Sequence, residues 1–346
     1  MRNLDTNKNS NLNDQVSNYI KNGFSFVENI NNDYVFLNSL RDDLEQVFEM
    51  KNFSRTLWVH EIENKIINLF LDQFLSSISI KNFLRELQKK VCPEVEVNIF
   101  PPLEFTRNFF SSPQEGNHGW HVDAGGEYKY EECRKNLNSD NYVFGKLQIA
   151  FQPNTVYGGN IDIAQYKFKE NINRPFREKL SIKSQELFIK LTKKILNTNN
   201  ISFNQTYISD FFSLLMNPIS ISTQPLSVFA FDSRIMHRGT PLKPRIYSNL
   251  RKKYGNFKFY KSTLPSNVTL QSKNKYVFYC HFGNKLGLSS YMNERFRRNN
   301  AISEIKAWES QLNNLNQYEK NFPNSKIIFY ECFEEFKSKL NFRINK

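Results

Sequence analysis

The eleven residues Asn117–Glu127, NHGWHVDAGGE, contain two of the five histidines of the chain, an aspartate and three of its twelve glycines. They follow LEFTRNFF at 103–110, an aromatic run typical of a buried strand. In an extended segment, side chains at positions i and i+2 point to the same side, roughly 6.5–7 Å apart. His121 and Asp123 can therefore reach one metal ion while Val122 turns away. The stretch predicts part of a metal site.

A second histidine ligand has to come from a distant part of the chain, and FAFDSRIMHRGTP at 229–241 offers His237, which ends a β-rich run before a Gly-Thr-Pro turn. Two histidines and one carboxylate on one face of an octahedron suit non-heme Fe(II), whereas zinc more often takes a closed tetrahedral set. We therefore predict that His121, Asp123 and His237 bind iron. The alternative for the His-x-Asp pair is a turn histidine that is hydrogen-bonded to the nearby aspartate.

Composition indicates a globular protein, because 346 residues with 32 phenylalanines and 16 tyrosines can bury a large core. The N-terminus lacks the apolar stretch of a secretory signal, and no eighteen consecutive residues are apolar. We expect a cytoplasmic protein without a membrane span. The cysteines are widely spaced and are expected to be reduced thiols: Cys92, Cys133, Cys280 and Cys332.

The formal charge of +13 favours an acidic partner such as a nucleic acid, a membrane surface or an anionic substrate. The basic residues are scattered, however, and no run of five or more like charges occurs. This dispersion is typical of a compositional bias. We therefore expect a small-molecule substrate, for which the charge is compatible with an anion, and no nucleic-acid partner. Composition leaves the oligomeric state open.

The hydrophobic pattern changes along the chain and predicts its organisation. Residues 1–14 are polar and expected to be disordered. Residues 15–94 are predicted to form a helical support region, in which a helix ends near Asn22-Gly23 and the strand FSFVEN follows. Two further helices are predicted there, at about 38–50 and 59–90. Residues 95–285 contain short β-rich runs, interrupted by a helical insertion at about 167–215, and 286–346 return to helix. The predicted fold is mainly β with flanking helices, a jelly-roll barrel in one domain buttressed at both ends.

Four segments carry a family resemblance: NGFSFVEN, GWHVDAGGE, GKLQIAFQPNTVYGGNIDIAQ and FDSRIMHRGTP. In order and approximate spacing they resemble the phytanoyl-CoA dioxygenase-like family of Fe(II)/2-oxoglutarate oxygenases, over residues about 18–285. The resemblance implies a double-stranded β-helix with iron held by His121, Asp123 and His237. It also implies 2-oxoglutarate and O2 as co-substrates, and hydroxylation of the substrate with release of succinate and CO2.

The resemblance further implies a buried cation for the far carboxylate of 2-oxoglutarate, which most relatives supply about ten to fourteen positions after the distal histidine. Arg245 and Arg251 lie eight and fourteen residues after His237, in a segment without a strand pattern. Lys275 begins the strand-like run KYVFYCHFGN, and a lysine can hold a carboxylate as a point charge. The predicted order is Lys275, then Arg251, then Arg245.

Four further residues are weaker candidates. Gln148 alternates with Leu147 and Ile149 and is predicted to face the barrel interior near the co-substrate, with a polar edge position as the alternative. Arg107 is a candidate for a substrate or co-substrate carboxylate, with an outward salt bridge as the alternative. Trp120 next to His121, and His281 on the same side of its strand as Lys275, are candidates for the substrate cavity. The alternative for Trp120 is a packing role, and the alternative for His281 is a histidine whose hydrogen bonds are made by its neighbours.

Asp123 also bears on the reaction, because halogenating members of the family lack this carboxylate, so the resemblance implies hydroxylation or a related desaturation or ring closure. Three other functions remain open. A cupin-type metal enzyme that does not use 2-oxoglutarate would keep the three ligands. A protein or nucleic-acid hydroxylase would use the positive charge, and a non-enzymatic β-sandwich binding module would owe its histidines to turns.

Overall fold

The computed structural model describes residues 2–4, 11–30, 33–51, 56–108, 122–123, 135–151, 161–164, 218–221, 225–239, 275–296 and 301–344. Its strands are β1 (Arg2–Leu4), β2 (Phe24–Asn29), β3 (Thr56–Trp58), β4 (Asn98–Asn108), β5 (Phe144–Ala150), β6 (Ile161–Ala164), β7 (Pro218–Ile221), β8 (Ser227–Asp232), β9 (His237–Gly239) and β10 (Lys275–Gly283). Its helices are α1 (Leu12–Asn22), α2 (Tyr34–Met50), α3 (Lys65–Ser76), α4 (Ile78–Val91), α5 (Lys285–Phe296), α6 (Ala301–Asn314), α7 (Asn316–Asn321) and α8 (Pro323–Ile344).

The N-terminal part differs from the sequence prediction in two places. The stretch 1–14, expected to be disordered, contains β1 and the start of α1, whose first turn is capped because the Asn11 side chain accepts a hydrogen bond from Asp14 N at 2.9 Å. The helix expected at about 59–90 is two helices, since Ser77 lies between α3 and α4 and its Oγ accepts from Ile80 N at 3.1 Å. The predicted end of α1 is confirmed at Gly23, which has φ 78°.

Six strands form the larger sheet, in the order β2–β8–β5–β10–β4–β3, and all neighbours are antiparallel. The remaining four form a second sheet, β1–β7–β6–β9, in which only the β1–β7 pair is parallel. The predicted combination of a mainly antiparallel β region with flanking helices is therefore confirmed. The helical insertion predicted at about 167–215 lies outside the described residues.

Helices cover one face of the six-stranded sheet through aromatic packing. The ring of Phe278 on β10 lies 5.3 Å from Phe70 and 5.0 Å from Phe74, both on α3, and 5.1 Å from Phe105 on β4. Phe282, further along β10, contacts Tyr19 of α1 at 5.7 Å. We call this side the helix face of the sheet.

The opposite side, called the inner face below, lies against the four-stranded sheet. Its contact with that sheet is an aliphatic and aromatic cluster that draws on both sheets, made of Ile161, Ile163, Ile219, Ile221, Phe229, Phe231 and Ile235. At one end of this space α5 and α6 pack on the strands, where Tyr291 lies 4.8 Å from Phe144 and stacks on Trp308 at 5.7 Å. The inner face is thus enclosed between two sheets and closed at one end by helices.

Two general expectations can be compared with the described residues. None of their helices is long and apolar enough to cross a membrane. Cys92, Cys280 and Cys332 are buried free thiols, whereas Cys133 lies outside the described residues.

Candidate functional site

Asp123 and His237, separated by more than a hundred residues in the chain, meet at the inner face. Asp123 Oδ1 lies 3.9 Å from His237 Nε2, and both side chains are largely buried, with 14% and 9% of their surface exposed. We call these two residues the ligand pair. Ligands bound to one ion at about 2.0–2.2 Å must approach each other closely, so only a small adjustment is needed for both atoms to bind the same metal.

The orientation of the His237 ring is set by its own strand. β9 pairs with β6, placing His237 opposite Ile163, and Nδ1–H donates to the carbonyl of Ile235 at 3.0 Å. Because that bond uses Nδ1, Nε2 is the nitrogen directed at Asp123. A backbone carbonyl on the far ring nitrogen is the usual arrangement of a metal-binding histidine. The ring also packs edge-on against Phe231 at 5.1 Å.

The turn between β8 and β9 is held by an ion pair between Asp232 and Arg234. The Asp232 carboxylate accepts from Arg234 Nε at 2.9 Å and Nη2 at 2.8 Å, and it also accepts from Arg234 N at 2.9 Å. Arg234 Nη1 donates to Leu137 O at 3.0 Å, and the guanidinium lies 4.6 Å over the Tyr142 ring. These contacts fix the turn that delivers His237.

The other oxygen of Asp123 has a cationic neighbour. Lys146 on β5 places its Nζ 3.0 Å from Asp123 Oδ2 and 6.0 Å from the centre of the Tyr279 ring. An ion pair on Oδ2 leaves Oδ1 oriented toward His237. Sequence reasoning missed Lys146, although its parity with Gln148 in the otherwise apolar strand FGKLQIA marks it as an inward-facing charge.

A buried ion pair lies on the other side of β9. Arg238 Nε donates to Asp162 Oδ2 at 3.0 Å, and both side chains have no exposed surface. The two residues are cross-strand partners on β9 and β6. Since side chains alternate along a strand, this pair points away from the inner face and fixes the strand that carries His237.

His281, predicted to line the cavity, lies on the inner face directly opposite Lys146 in the β10–β5 register. Its ring stacks on Phe144 at 5.3 Å and lies 4.9 Å from Tyr291. Burial lowers the pKa of His281 well below its usual range, and the positive charge of Lys146 adds to this. Neither ring nitrogen has a hydrogen-bond partner among the described residues. His281 is therefore a neutral, buried imidazole with unused hydrogen-bonding capacity.

Glu104 is a second residue that sequence reasoning missed. It lies on β4 opposite Tyr279 of β10 and Trp58 of β3, on the inner face. Burial raises the pKa of the Glu104 carboxyl. The positive charges of Lys146 and Arg295 lower this pKa, and the negative charges of Glu304 and Asp123 raise it further. The sequence could have indicated Glu104, because it is the one acidic residue in the strand NIFPPLEFTRN and points to the opposite side of the strand from Phe105.

The remaining predicted residues are distributed as follows. Gln148 lies opposite Tyr279 in the β5–β10 register, on the inner face, and its role near the co-substrate stays a prediction. Lys275 begins β10 six residues before His281, on the order of 20 Å along the strand. Arg107 is on the helix face, with its guanidinium 5.3 Å over the Phe48 ring, so the structure does not bring it to the ligand pair. His121, Trp120, Arg245 and Arg251 lie outside the described residues.

Within the described ranges no three histidine, cysteine or acidic side chains form a metal-binding group. The ligand pair supplies two donors, an imidazole nitrogen and a carboxylate oxygen, which is the donor chemistry that Fe(II) accepts. His121, two residues before Asp123, is the predicted third donor. The side chains that the structure does describe thus fit the predicted iron ligands.

No protein-family profile and no curated relative matches the chain. It is similar to the solved structure of EctD from S. alaskensis with bound Fe, at 10% identity and TM-score 0.44, over 80% of this chain and 79% of that one. It is also similar to the non-heme monooxygenase ThoJ, at 7% identity and TM-score 0.42, over 80% of this chain and 78% of that one. A third similar structure is HygX from Streptomyces hygroscopicus with nickel and 2-oxoglutarate bound, at 12% identity and TM-score 0.41, over 78% of this chain and 86% of that one. All three are distant likenesses that do not by themselves establish an activity.

Proposed function

We propose that the chain is an Fe(II)/2-oxoglutarate-dependent oxygenase that hydroxylates a small molecule. The observation that carries this is the 3.9 Å approach of Asp123 Oδ1 to His237 Nε2, between residues that the sequence motifs had singled out independently. His121 completes the proposed ligand set. Two histidines and one carboxylate would leave three coordination positions open for the 2-oxo acid co-substrate and oxygen.

The order of the strands supports a double-stranded β-helix as the scaffold. Along the chain β4 and β5 belong to the larger sheet, β6 and β7 to the smaller, β8 to the larger, β9 to the smaller and β10 to the larger. A chain that passes repeatedly between two facing sheets is typical of jelly-roll folds. The proposed ligand pair lies between the two sheets, where the walls can exclude water.

When bound, iron, 2-oxoglutarate and O2 would together supply the oxidising chemistry: one oxygen atom of O2 enters succinate as the co-substrate loses CO2, and the other enters a C–H bond of the substrate. The chain supplies geometry. Lys146 holds the second oxygen of Asp123, the Ile235 carbonyl fixes the His237 ring, and the aromatic and aliphatic walls exclude solvent from the reacting carbon.

Anaerobic titration with Fe(II) and 2-oxoglutarate tests the proposal, because the chelate has a weak visible charge-transfer band. We expect the band in the wild-type protein and its loss in His121→Ala, Asp123→Ala and His237→Ala. Asp140→Ala, which changes an exposed aspartate, is the matched control and should keep it. A wild-type protein without the band, or Fe(II) turnover of substrate without 2-oxoglutarate, would favour the cupin-type alternative.

A second titration locates the cation for the far carboxylate of 2-oxoglutarate. Lys275, Arg251 and Arg245 are the predicted candidates. Replacing the true partner with alanine should raise the 2-oxoglutarate concentration for half-saturation by about tenfold or more, the value of one charge-assisted hydrogen bond. The two other variants serve as controls for the effective one.

A further inference from the structure

One row of side chains crosses the inner face of the six-stranded sheet beside the ligand pair. Trp58 of β3 is the cross-strand partner of Glu104 on β4, Glu104 is the partner of Tyr279 on β10, and Tyr279 is the partner of Gln148 on β5. Directly opposed residues in antiparallel strands have Cβ atoms about 4.5–5.5 Å apart. The row therefore sets a carboxylate between two aromatic rings and an amide beyond the second ring. We call it the acceptor row.

The acceptor row lies next to the proposed metal ligands. The following row of the same sheet pairs His281 with Lys146, and Lys146 contacts Asp123 at 3.0 Å. The Lys146 ammonium also lies 6.0 Å from the centre of the Tyr279 ring, which links the two rows. A molecule held on the acceptor row would thus have its neighbouring atoms beside Asp123.

Several polar atoms around this row lack partners. Gln148 is 3% exposed, and its Oε1 accepts no hydrogen bond from the described residues. His281 is 4% exposed, and neither of its ring nitrogens has a hydrogen-bond partner among the described residues. Glu104 is half-buried and makes no ion pair or hydrogen bond within the described part of the chain, and the neighbouring Lys146 ammonium is paired with Asp123. Buried polar groups are normally hydrogen-bonded, so the Gln148 and His281 atoms indicate a binding site that a ligand completes.

The chemistry of the unfilled positions indicates the kind of ligand. A carboxylate and an amide oxygen are acceptors, and a neutral imidazole offers one further acceptor nitrogen. Aromatic rings on both sides of a carboxylate favour a cation, because the faces of Trp and Tyr attract positive charge. A ligand rich in N–H donors and carrying a positive charge fits the carboxylate, the amide oxygen, the acceptor nitrogen and the two aromatic rings.

We propose that the acceptor row binds a protonated amine of the substrate, with Glu104 as its counter-ion, Trp58 and Tyr279 on either side, and Gln148 Oε1 accepting one N–H. The proposed substrate is cationic, whereas the overall charge of the chain is compatible with an anion. The amine site deepens the proposed oxygenase function. The reaction of the bound amine rests on that function, whereas the binding of the amine does not.

Calorimetric titration with two small probes tests the amine site directly. Butylamine is protonated at neutral pH, and butanol is its uncharged counterpart. The wild-type protein should bind butylamine with an apparent Kd at least about tenfold lower than that for butanol. Glu104→Gln, which keeps the shape of the side chain, should abolish this preference, and Trp58→Leu should weaken it. Glu94→Gln, a change at an exposed glutamate, is the matched control and should leave it intact.

Equal binding of the two probes, no saturable binding of butylamine, or an unchanged preference in Glu104→Gln would each overturn the inference. The titrations are run without metal and repeated with Mn(II), so they can be interpreted even if the oxygenase proposal fails. Glu104→Gln should in addition keep the Fe(II)/2-oxoglutarate band. Loss of the band in the wild-type protein contradicts the oxygenase proposal alone, whereas a butylamine preference that survives in Glu104→Gln contradicts the amine site alone.

Discussion

The two faces of the six-stranded sheet are built from the same strands and differ in what they bury. Along β10, Phe278 and Cys280 point to the helix face and Tyr279 and His281 to the inner face. The helix face is aromatic, with ring centroids 5.0–5.3 Å apart around Phe278. The inner face carries a lysine, a glutamate and a histidine beside its aliphatic cluster, with Asp123 and His237 next to it.

In this protein, alternate residues of a strand therefore have different roles: those on the helix face stabilise the fold, and those on the inner face form the candidate site. Dense aromatic packing on the helix face stabilises the sheet, so the inner face can hold buried polar groups whose hydrogen bonds are not all satisfied. Such groups reduce stability and are retained where a ligand uses them. Substitutions on the helix face should therefore affect mainly unfolding, and substitutions on the inner face mainly binding.

The largest effect is expected for Phe278→Ala on the helix face. Removing a fully buried ring that contacts three others should lower the free energy of unfolding by about 3–5 kcal/mol, through lost burial and the cavity left behind. Denaturant unfolding measures this. Ile78→Ala, at an exposed position of α4, is the control and should change stability by less than about 0.5 kcal/mol. A small effect at Phe278 would contradict the assignment of stability to this face.

Lys146→Met tests the inner face. The substitution keeps most of the side-chain length but removes the charge that holds Asp123 Oδ2, so Fe(II) should bind about 10–100-fold more weakly, as for other groups that support a metal ligand. Anaerobic metal titration gives the affinity. Lys135→Met, on the exposed surface, is the comparison variant. Equal Fe(II) affinity in both variants would show that Lys146 does not orient the carboxylate.

His281 should make stability depend on pH. Burial lowers its pKa in the folded protein, so below about pH 6.5 the unfolded chain takes up a proton that the native state does not. This contribution therefore favours the native state at neutral pH and weakens as pH falls through about 6.5, by up to ~1.4 kcal/mol per pH unit. His281→Phe, which can still stack on Phe144, should flatten the profile in denaturant unfolding at several pH values. An unaltered profile would mean that His281 has the same pKa in the folded and unfolded states.

Arg107→Met should have the smallest effect and sharpen the comparison. Arg107 was a candidate for a carboxylate of the substrate or co-substrate, but its guanidinium lies over Phe48 on the helix face. Loss of that contact should cost about 0.5–2 kcal/mol of unfolding free energy. The 2-oxoglutarate concentration needed for half-saturation should not change. A raised requirement would mean that a cation on the helix face reaches the site after all.

Much of the fold could be predicted from the sequence because its signals are local. Alternating and continuous apolar runs located β2 and β10 to within a residue or two, and the Gly23 stop signal ended α1 correctly. The split between α3 and α4 was missed because Ser77 acts through one capping hydrogen bond inside an uninterrupted apolar period. Spacing of short motifs also predicted that Asp123 and His237 would meet.

The proposed metal ligands, and the side of its strand that each residue faces, can be read from the amino-acid order, since alternation is a property of the extended backbone. Which of those inward residues are neighbours depends on the folded chain. Glu104 stands beside Trp58 and Tyr279, and Lys146 beside His281, because of the register between strands far apart in the chain. Register depends on the packing of whole sheets and cannot be deduced from any one strand.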